Sequence, residues 1–271
     1  MDIEKIFKEL RFLPVVEASI RSEIAKDSIR GIAKTAYEGE DFHFRLSEQK
    51  PGVRLAVIVY LLQSKYEEYK RKRVPELVIW DTFRDVSLRA GLYYEKYGEA
   101  GIEEDDVIWF RHIMNVQIFQ IGVLQYQVFE MMYPEEGGLC MKFSEEQKRL
   151  LPEHSPVINC HIQKGADLSY EAVGDSLKAA TEFFGNIFPE IQYRAFVCYS
   201  WLLYPPMTAV LPEMSRIRRF AGRFQIIGSC GWQEQAMENL CGSRETALTK
   251  IAEENKEIFG FACGIISFQE I

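Results

Sequence analysis

His161 is the side chain in this sequence best suited to move a proton, because its unperturbed pKa lies near neutrality. It stands near the end of an apolar run, Val157 to Ile162, that reads as an inner strand. Sheets in α/β folds collect ligands at the carboxyl ends of their strands, so the position suits a general base. A packed histidine with one satisfied hydrogen bond is the competing reading. Directly behind it run Gln163, Lys164, Gly165, Ala166, Asp167, Leu168 and Ser169. Lys164 can pair with a phosphate, and Gly165 permits close backbone approach. Asp167 would repel a pyrophosphate, and an ordinary strand-to-helix turn in water also fits these residues. Tyr199, Ser200 and Tyr204 can supply hydroxyls, although a tyrosine in an apolar strand more often fills volume and bonds once. No G-x-S-x-G surrounds Cys198 or Ser200, so covalent catalysis at a nucleophile elbow is not expected. Arg216, Arg219 and Arg223 share a helix face and can grip a phosphate or carboxylate. A solvated face opposite Ile217, Phe220 and Phe224 is the favoured reading. His43, His112 and His154 are scattered without partners at ligand spacing, so no metal is expected.

The elements that must position these residues fall into two halves. Residues 1–117 read as helices. Met1 to Leu10 is an amphipathic charged stretch without the apolar core of a signal peptide. Pro14 opens a helix whose apolar positions Val16, Ile20, Ile24, Ile29 and Ile32 reach towards Gly39. Glu40 to Lys50 reads as a loop with isolated Phe42 and Phe44. Pro51 opens a second helix that ends in the basic run Lys70 to Arg73, where cations suit a helix C-terminus. Pro75 opens a third, ending near Gly98. Asp105 and Asp106 can cap a fourth through Ile108, Trp109 and Val116. There is no internal repeat.

Past residue 117 the period changes. Val123 to Glu130 alternates apolar and polar residues, as a half-buried strand does. A turn at Tyr133 to Gly138 and a return strand from Leu139 to Phe143 complete a hairpin. Val157 to Ile162 is the third strand. Ser169 is placed to cap a helix whose stripe is Val173, Leu177, Ala180, Phe184 and Phe188. Strands over 195–203, 224–230 and 261–268, a short helix carrying Ile217 and Phe220, and a long helix over 244–258 follow. Strands alternating with helices call for a mixed sheet covered by helices. The link from Val157 through the helix to Ala195 should be a right-handed crossover between parallel strands.

Composition narrows the classes. With 271 residues, two domains are the better expectation. The chain carries a formal net charge of −8, which argues against a nucleic-acid partner. No apolar run approaches the length of a membrane span, so no membrane partner is expected either. The six cysteines, Cys140, Cys160, Cys198, Cys230, Cys241 and Cys263, show no zinc spacing. They read as reduced thiols of a cytoplasmic protein. No Pro/Gly/Ser-rich tether separates the halves. The sequence therefore favours close packing of the two, with any ligand pocket at their seam facing the end of the His161 strand.

One ordered set of residues carries a resemblance. Ile121, Gly122 and Tyr126, then His161, Ile162, Gly165 and Leu168, are followed by Cys198 through Leu203 with Pro205. Leu211, Pro212, Ser215, Ile217, Phe220, Arg223 and Phe224 complete the set. Over about residues 118–230 this resembles bacterial acyltransferase-domain proteins, which pair a helical N-terminal N-acyltransferase domain with a GNAT-like C-terminal domain. The resemblance implies an α+β chain: a helical domain over 1–117, then a GNAT-like mixed sheet over 118–271. It departs from the family pattern at Tyr199, Tyr204, Gln163 and Arg216.

The resemblance further implies transfer of an acyl group from acetyl-CoA or another acyl-CoA to a small-molecule amine. In that fold the strand before the crossover splays from the next, and the pantetheine arm lies between them. The pyrophosphate then meets the N-terminus of the crossover helix. This assigns cofactor contacts to Gln163, Lys164, Gly165, Ser169 and Ser200. Catalytic roles go to His161, Tyr199 and Tyr204, with Tyr204 protonating the leaving thiolate. A scaffold that binds acyl-CoA or a partner without turnover is the alternative, motivated by the single glycine and Asp167 of the phosphate loop. The oligomeric state stays open.

Overall fold

The computed structural model describes residues 1–39, 43–135, 140–240 and 247–268. The chain divides into two compact units, Met1–Gln120 and Ile121–Ile271.

The first unit is helical. Helix α1 (Ile3–Leu10) is capped by Asp2, whose carboxylate accepts from the Glu4 amide, and it buries Ile6, Phe7 and Leu10. The single helix expected from Pro14 to Gly39 is two: α2 (Pro14–Ile24) and α3 (Ser28–Thr35). Ala25, Lys26, Asp27 and Ser28 are all exposed, so no burial holds that turn helical, and Asp and Ser compete for backbone groups there. Helix α4 (Pro51–Arg71) starts at Pro51 and ends on Lys70 and Arg71, as expected. Its residues Leu55 to Val59 are buried consecutively, because α1, α2, α3, α5 and α6 all pack against it. Helix α5 (Glu76–Tyr97) ends where Gly98 adopts φ of +73°. Helix α6 (Glu104–Met114) is capped by Glu103. Asp106 accepts from the Glu103 amide, so the expected cap is the reciprocal partner three residues on. Of the expected loop from Glu40 to Lys50, the described part, 43–50, is neither helix nor strand; Phe42 lies outside the described residues.

The second unit carries β2 to β6 of a six-stranded sheet ordered β1-β2-β3-β4-β6-β5, whose first strand ends at the unit's first residue. The sheet's strands are β1 (Ile118–Ile121), β2 (Leu124–Glu130), β3 (Pro156–His161), β4 (Ala195–Ser200), β5 (Gln225–Cys230) and β6 (Phe261–Ser267). The expected hairpin of 123–130 with 139–143 does not form. The neighbours of β2 are β1, which the alternation misses, and β3. Gly122, at φ of +60°, makes the tight link between β1 and β2. Residues 136–139, with Gly138 of the expected turn and Leu139 of the expected strand, lie outside the described residues. Residues 140–143 are irregular because Met141 buries itself and Phe143 packs onto Gly228 and the Tyr133 ring. A short helix, α7 (Glu145–Leu150), follows with a reciprocal Ser144–Gln147 cap that the sequence expectation lacks.

Helix α8 (Tyr170–Ile187) crosses from β3 to β4, which pair in parallel as expected. The apolar stretch read as one strand over 195–203 ends at Ser200. A 3-10 turn over Trp201–Leu203 replaces its tail, because the Ser200 hydroxyl accepts from the Leu202 amide. Pro205, expected only to end the strand, opens helix α9 (Pro205–Val210) as its first residue. Helix α10 (Arg216–Ala221) leads to β5. Of the long helix expected over 244–258, residues 244–246 lie outside the described ones and its end comes four residues early; a separate helix, α11 (Glu234–Leu240), stands before it. Helix α12 (Ala247–Glu254) then stops where the Asn255 side chain accepts from the Glu257 amide.

The pleat assigns side chains to faces. Tyr126, Cys160, Phe196 and Cys198 share the face under α8. There the Tyr126 hydroxyl meets Ser176 Oγ of α8 at 2.8 Å, and the Tyr126 ring packs edge-on to Phe196. Gln125, Gln127, Asn159, His161, Val197 and Tyr199 share the opposite face.

Candidate functional site: a fork between two parallel strands

The sheet is closed everywhere along β3 and β4 except between them. On its outer edge β3 pairs with β2 as far as His161, opposite Gln125. On its outer edge β4 pairs with β6 as far as Ser200, opposite Ala262. Between the two, the register pairs only Ile158 with Phe196 and Asn159 with Val197. At the closed end the Arg194 amide also donates to the Pro156 carbonyl at 3.0 Å. Beyond Asn159 and Val197 the strands run on unpaired to His161 and Ser200. The result is a fork whose lips are the carboxyl ends of both strands, with edge backbone groups turned towards whatever occupies the gap.

His161 ends β3 and is half-buried. Its Nε2 donates to Gln127 Oε1 on β2 at 2.8 Å, which makes Nδ1 the basic nitrogen of the neutral ring. Gln127 belongs to the alternating stretch expected to be half-solvated. Instead Gln125 and Gln127 are both buried, and with Asn159 they make the face beside His161 a polar interior. Two polar residues in step with an apolar alternation were the available signal; the pattern alone does not distinguish solvent from a lined site.

Past His161 the chain turns, with the Ala166 amide donating to the Gln163 carbonyl and Gly165 at φ of +83°. Lys164 is exposed, and Gln163 is half-exposed. Ser169 stands at the N-cap of α8 as expected, but its hydroxyl does not cap the helix. The Ser169 amide and hydroxyl donate to Asp167 at 3.0 and 3.1 Å. These bonds, then Arg216 at 3.2 Å, hold the Asp167 carboxyl below its ordinary range. The arginines of α10 and the turn after it do not simply face water. Arg223 lies 3.6 Å and Arg219 4.8 Å from the Tyr170 ring centroid, and Arg223 donates to the Tyr170 carbonyl. They therefore brace the first turn of α8.

On the other lip, Ser200 is buried and its Oγ accepts from Leu202. Tyr199 shares the His161 face, but its hydroxyl donates to the Met132 carbonyl at 2.5 Å and burial raises its pKa well above the ordinary value. That arrangement suits packing better than proton transfer at neutral pH. Tyr204 sits beyond the 3-10 turn, at the N-cap of α9, with its ring against Gly260. The fold thus brings His161, the 163–169 loop and Ser200 to one end of the sheet, with Tyr204 one turn further on. Burial pushes the Cys198 thiol up to about 12 and that of Cys160 well above its ordinary value, so neither is a thiolate at neutral pH. Cys241 lies outside the described residues. Among the described residues no cluster of His, Cys, Asp or Glu is arranged to hold a metal ion, and no helix is long and apolar enough to cross a membrane.

Residues 118–256 match the family profile described as the GNAT-like C-terminal domain. The chain belongs to that family. Residues 6–116 match the N-acyltransferase N-terminal domain, so the family's two-domain N-acyltransferase arrangement accounts for both halves. No curated protein matches by sequence. Among solved structures, an acyltransferase in complex with decanoyl-CoA and teicoplanin superposes with a TM-score of 0.72 at 15% identity, covering 98% of this chain and 87% of that one. A mutant acyltransferase in complex with octanoyl-CoA gives 0.70 at 16%, over 97% and 87%. Another acyltransferase, with decanoyl-CoA, gives 0.61 at 18%, over 98% and 99%. At such identities the likeness establishes the GNAT-like fold and not the substrates.

Proposed function

We propose that the chain is an N-acyltransferase that moves an acyl group from acyl-CoA to an amine. The observation that carries this reading is the fork: two inner parallel strands, held along their outer edges, part beyond Asn159 and Val197. A gap of that kind offers unpaired backbone groups to an extended ligand with amides of its own, as the pantetheine arm is. The N-terminus of α8 follows the same strand and suits the pyrophosphate, with Gln163, Lys164, Gly165, Ser169 and Ser200 as the proposed contacts. Similar folds hold acyl-CoA, and one of them also holds teicoplanin, a glycopeptide. The acceptor amine can therefore belong to a molecule larger than a simple amine.

In the reaction the amine nitrogen attacks the thioester carbon, the C–S bond breaks, and amide and CoA thiol result. His161 accepts the proton lost by the amine, through Nδ1, while Gln127 fixes the ring. Tyr204 is the proposed donor to the leaving thiolate. Tyr199 is retained only as a wall of the site. The domain that carries this chemistry is taken as 118–271, after a helical domain over 1–117.

The test is thermal shift and calorimetry with acetyl-CoA, octanoyl-CoA and decanoyl-CoA, followed by thiol release with a panel of amines. Binding with amine-dependent thiol release is the expected result. No binding of any of the three sinks the reading. Binding without release across the panel favours the second reading, a non-catalytic acyl-CoA binder, which Asp167 at the phosphate loop supports.

A further inference from the structure

The last paired position of the fork holds a polar atom with nothing to bind. Asn159 is 6% exposed, and its Oδ1 accepts no hydrogen bond among the described residues. The neighbouring carboxamide on the same face differs: Gln127 Oε1 receives His161. A buried carbonyl left without a donor is costly, and one where pairing between two inner strands stops marks a place for a ligand donor.

We propose that Asn159 binds acyl-CoA by accepting, on Oδ1, an N–H of the pantetheine arm. The inference rests on the acyl-CoA reading above. Register supplies the place: Asn159 is the residue of β3 at which pairing with β4 stops, opposite Val197. An arm whose phosphates sit at the 163–169 loop enters at the lips and runs towards that closed end. Its secondary amides lose water on entry and need acceptors, and the last of them precedes the sulfur. Asn159 and His161 stand two positions apart on one face, about 7 Å of strand. An amide held at Asn159 therefore places that part of the arm one same-face step deeper than His161. This makes Asn159 a ligand-binding residue that also fixes how far the arm can travel.

The experiment compares wild type with Asn159→Leu, which keeps the branched shape and removes the carbonyl. The probes are CoA and 3′,5′-ADP, the second lacking the pantetheine arm. Calorimetry should show CoA binding weakened about tenfold in Asn159→Leu, the loss of one buried hydrogen bond, with 3′,5′-ADP unchanged. The ligand-free Tm should hold or rise, since an unmet acceptor has been removed, which a purely structural asparagine would not allow. Asn159→Asp, which keeps an oxygen acceptor, should restore most of the CoA affinity. Equal CoA affinity in wild type and Asn159→Leu, with wild type binding normally, overturns this inference alone. Failure of wild type to bind CoA overturns the acyl-CoA reading and this one with it. If Asn159→Leu does not fold, Asn159→Ala takes its place; failure of both to fold makes Asn159 structural and overturns the proposal.

Discussion

At the scale of single residues, the partners of each candidate side chain suggest its part. His161 has a fixed donor bond to Gln127 and carries its basic lone pair on the other ring nitrogen, whereas Tyr199 and Ser200 have their hydroxyls committed to backbone partners. His161→Ala should lower amine-dependent thiol release at least about 100-fold while leaving CoA affinity within error, the span expected for a general base. Gln127→Leu should lower kcat less and displace its pH profile, since the ring loses the partner that fixes its tautomer. Unchanged kcat in His161→Ala excludes the base assignment. Asp167 makes the opposite kind of prediction. Its exposed carboxylate stands where the phosphates are proposed, so Asp167→Asn should tighten CoA binding about three- to fivefold at low salt, with the gain fading as salt rises. His161 and the 163–169 loop were legible in the sequence because residue type and strand position coincide there. Gln127 and Asn159 were not. A polar residue in an alternating strand has the same spacing whether its face meets water or a lined cavity, and only the neighbours decide.

At the scale of elements, the sequence was most informative where punctuation was strong. Pro51, Pro75 and Gly98 mark helix ends close to where α4 and α5 begin and finish, because ring closure and positive φ act locally. Short elements were lost: β1, α7, α9 and α11, none longer than seven residues, and with them the break between α2 and α3. The strand β1 is four residues with every position buried, too short for a period to register. The join of α5 and α6 illustrates a contact that no spacing announces. Asp85 and Asp106 both bind Arg89, at 3.1 and 2.7 Å, and the Trp109 indole donates to Asp85 at 2.7 Å. Burial raises the Asp106 carboxyl above its ordinary value, with Arg89 pulling it back. Arg89→Leu should therefore destabilise the helical unit by about 3 kcal/mol, the low end for a buried pair because Arg89 is partly exposed. The variant should lose most at neutral pH. A carboxyl whose folded pKa is raised binds its proton more tightly in the native state, so stability falls as pH climbs from the unfolded value through the folded one. The Tm deficit of Arg89→Leu should thus be smaller at pH 5 than at pH 7; an equal deficit at both would show that Asp106 does not titrate in that window.

At the scale of the whole chain, the two units give ligand binding a readable signature. Every residue proposed to touch acyl-CoA falls in the unit from Ile121 to Ile271. Binding to the native form alone stabilises whatever must unfold to release the ligand, by about 2.7 kcal/mol at 100 times Kd. For a unit of this size that corresponds to a Tm rise of roughly 5–10 °C. Saturating decanoyl-CoA should move the transition of that unit by this amount, and the shift should grow with the logarithm of concentration rather than level off at saturation. Arg89→Leu supplies the control, since its destabilisation belongs to the helical unit. In that variant the acyl-CoA-dependent shift of the sheet unit should persist while the helical unit melts earlier. Scanning calorimetry with and without ligand resolves the two. If Arg89→Leu instead abolishes the ligand shift under conditions where the sheet unit is still folded, residues of the helical unit hold acyl-CoA as well, and the assignment of the cofactor to the fork alone is wrong.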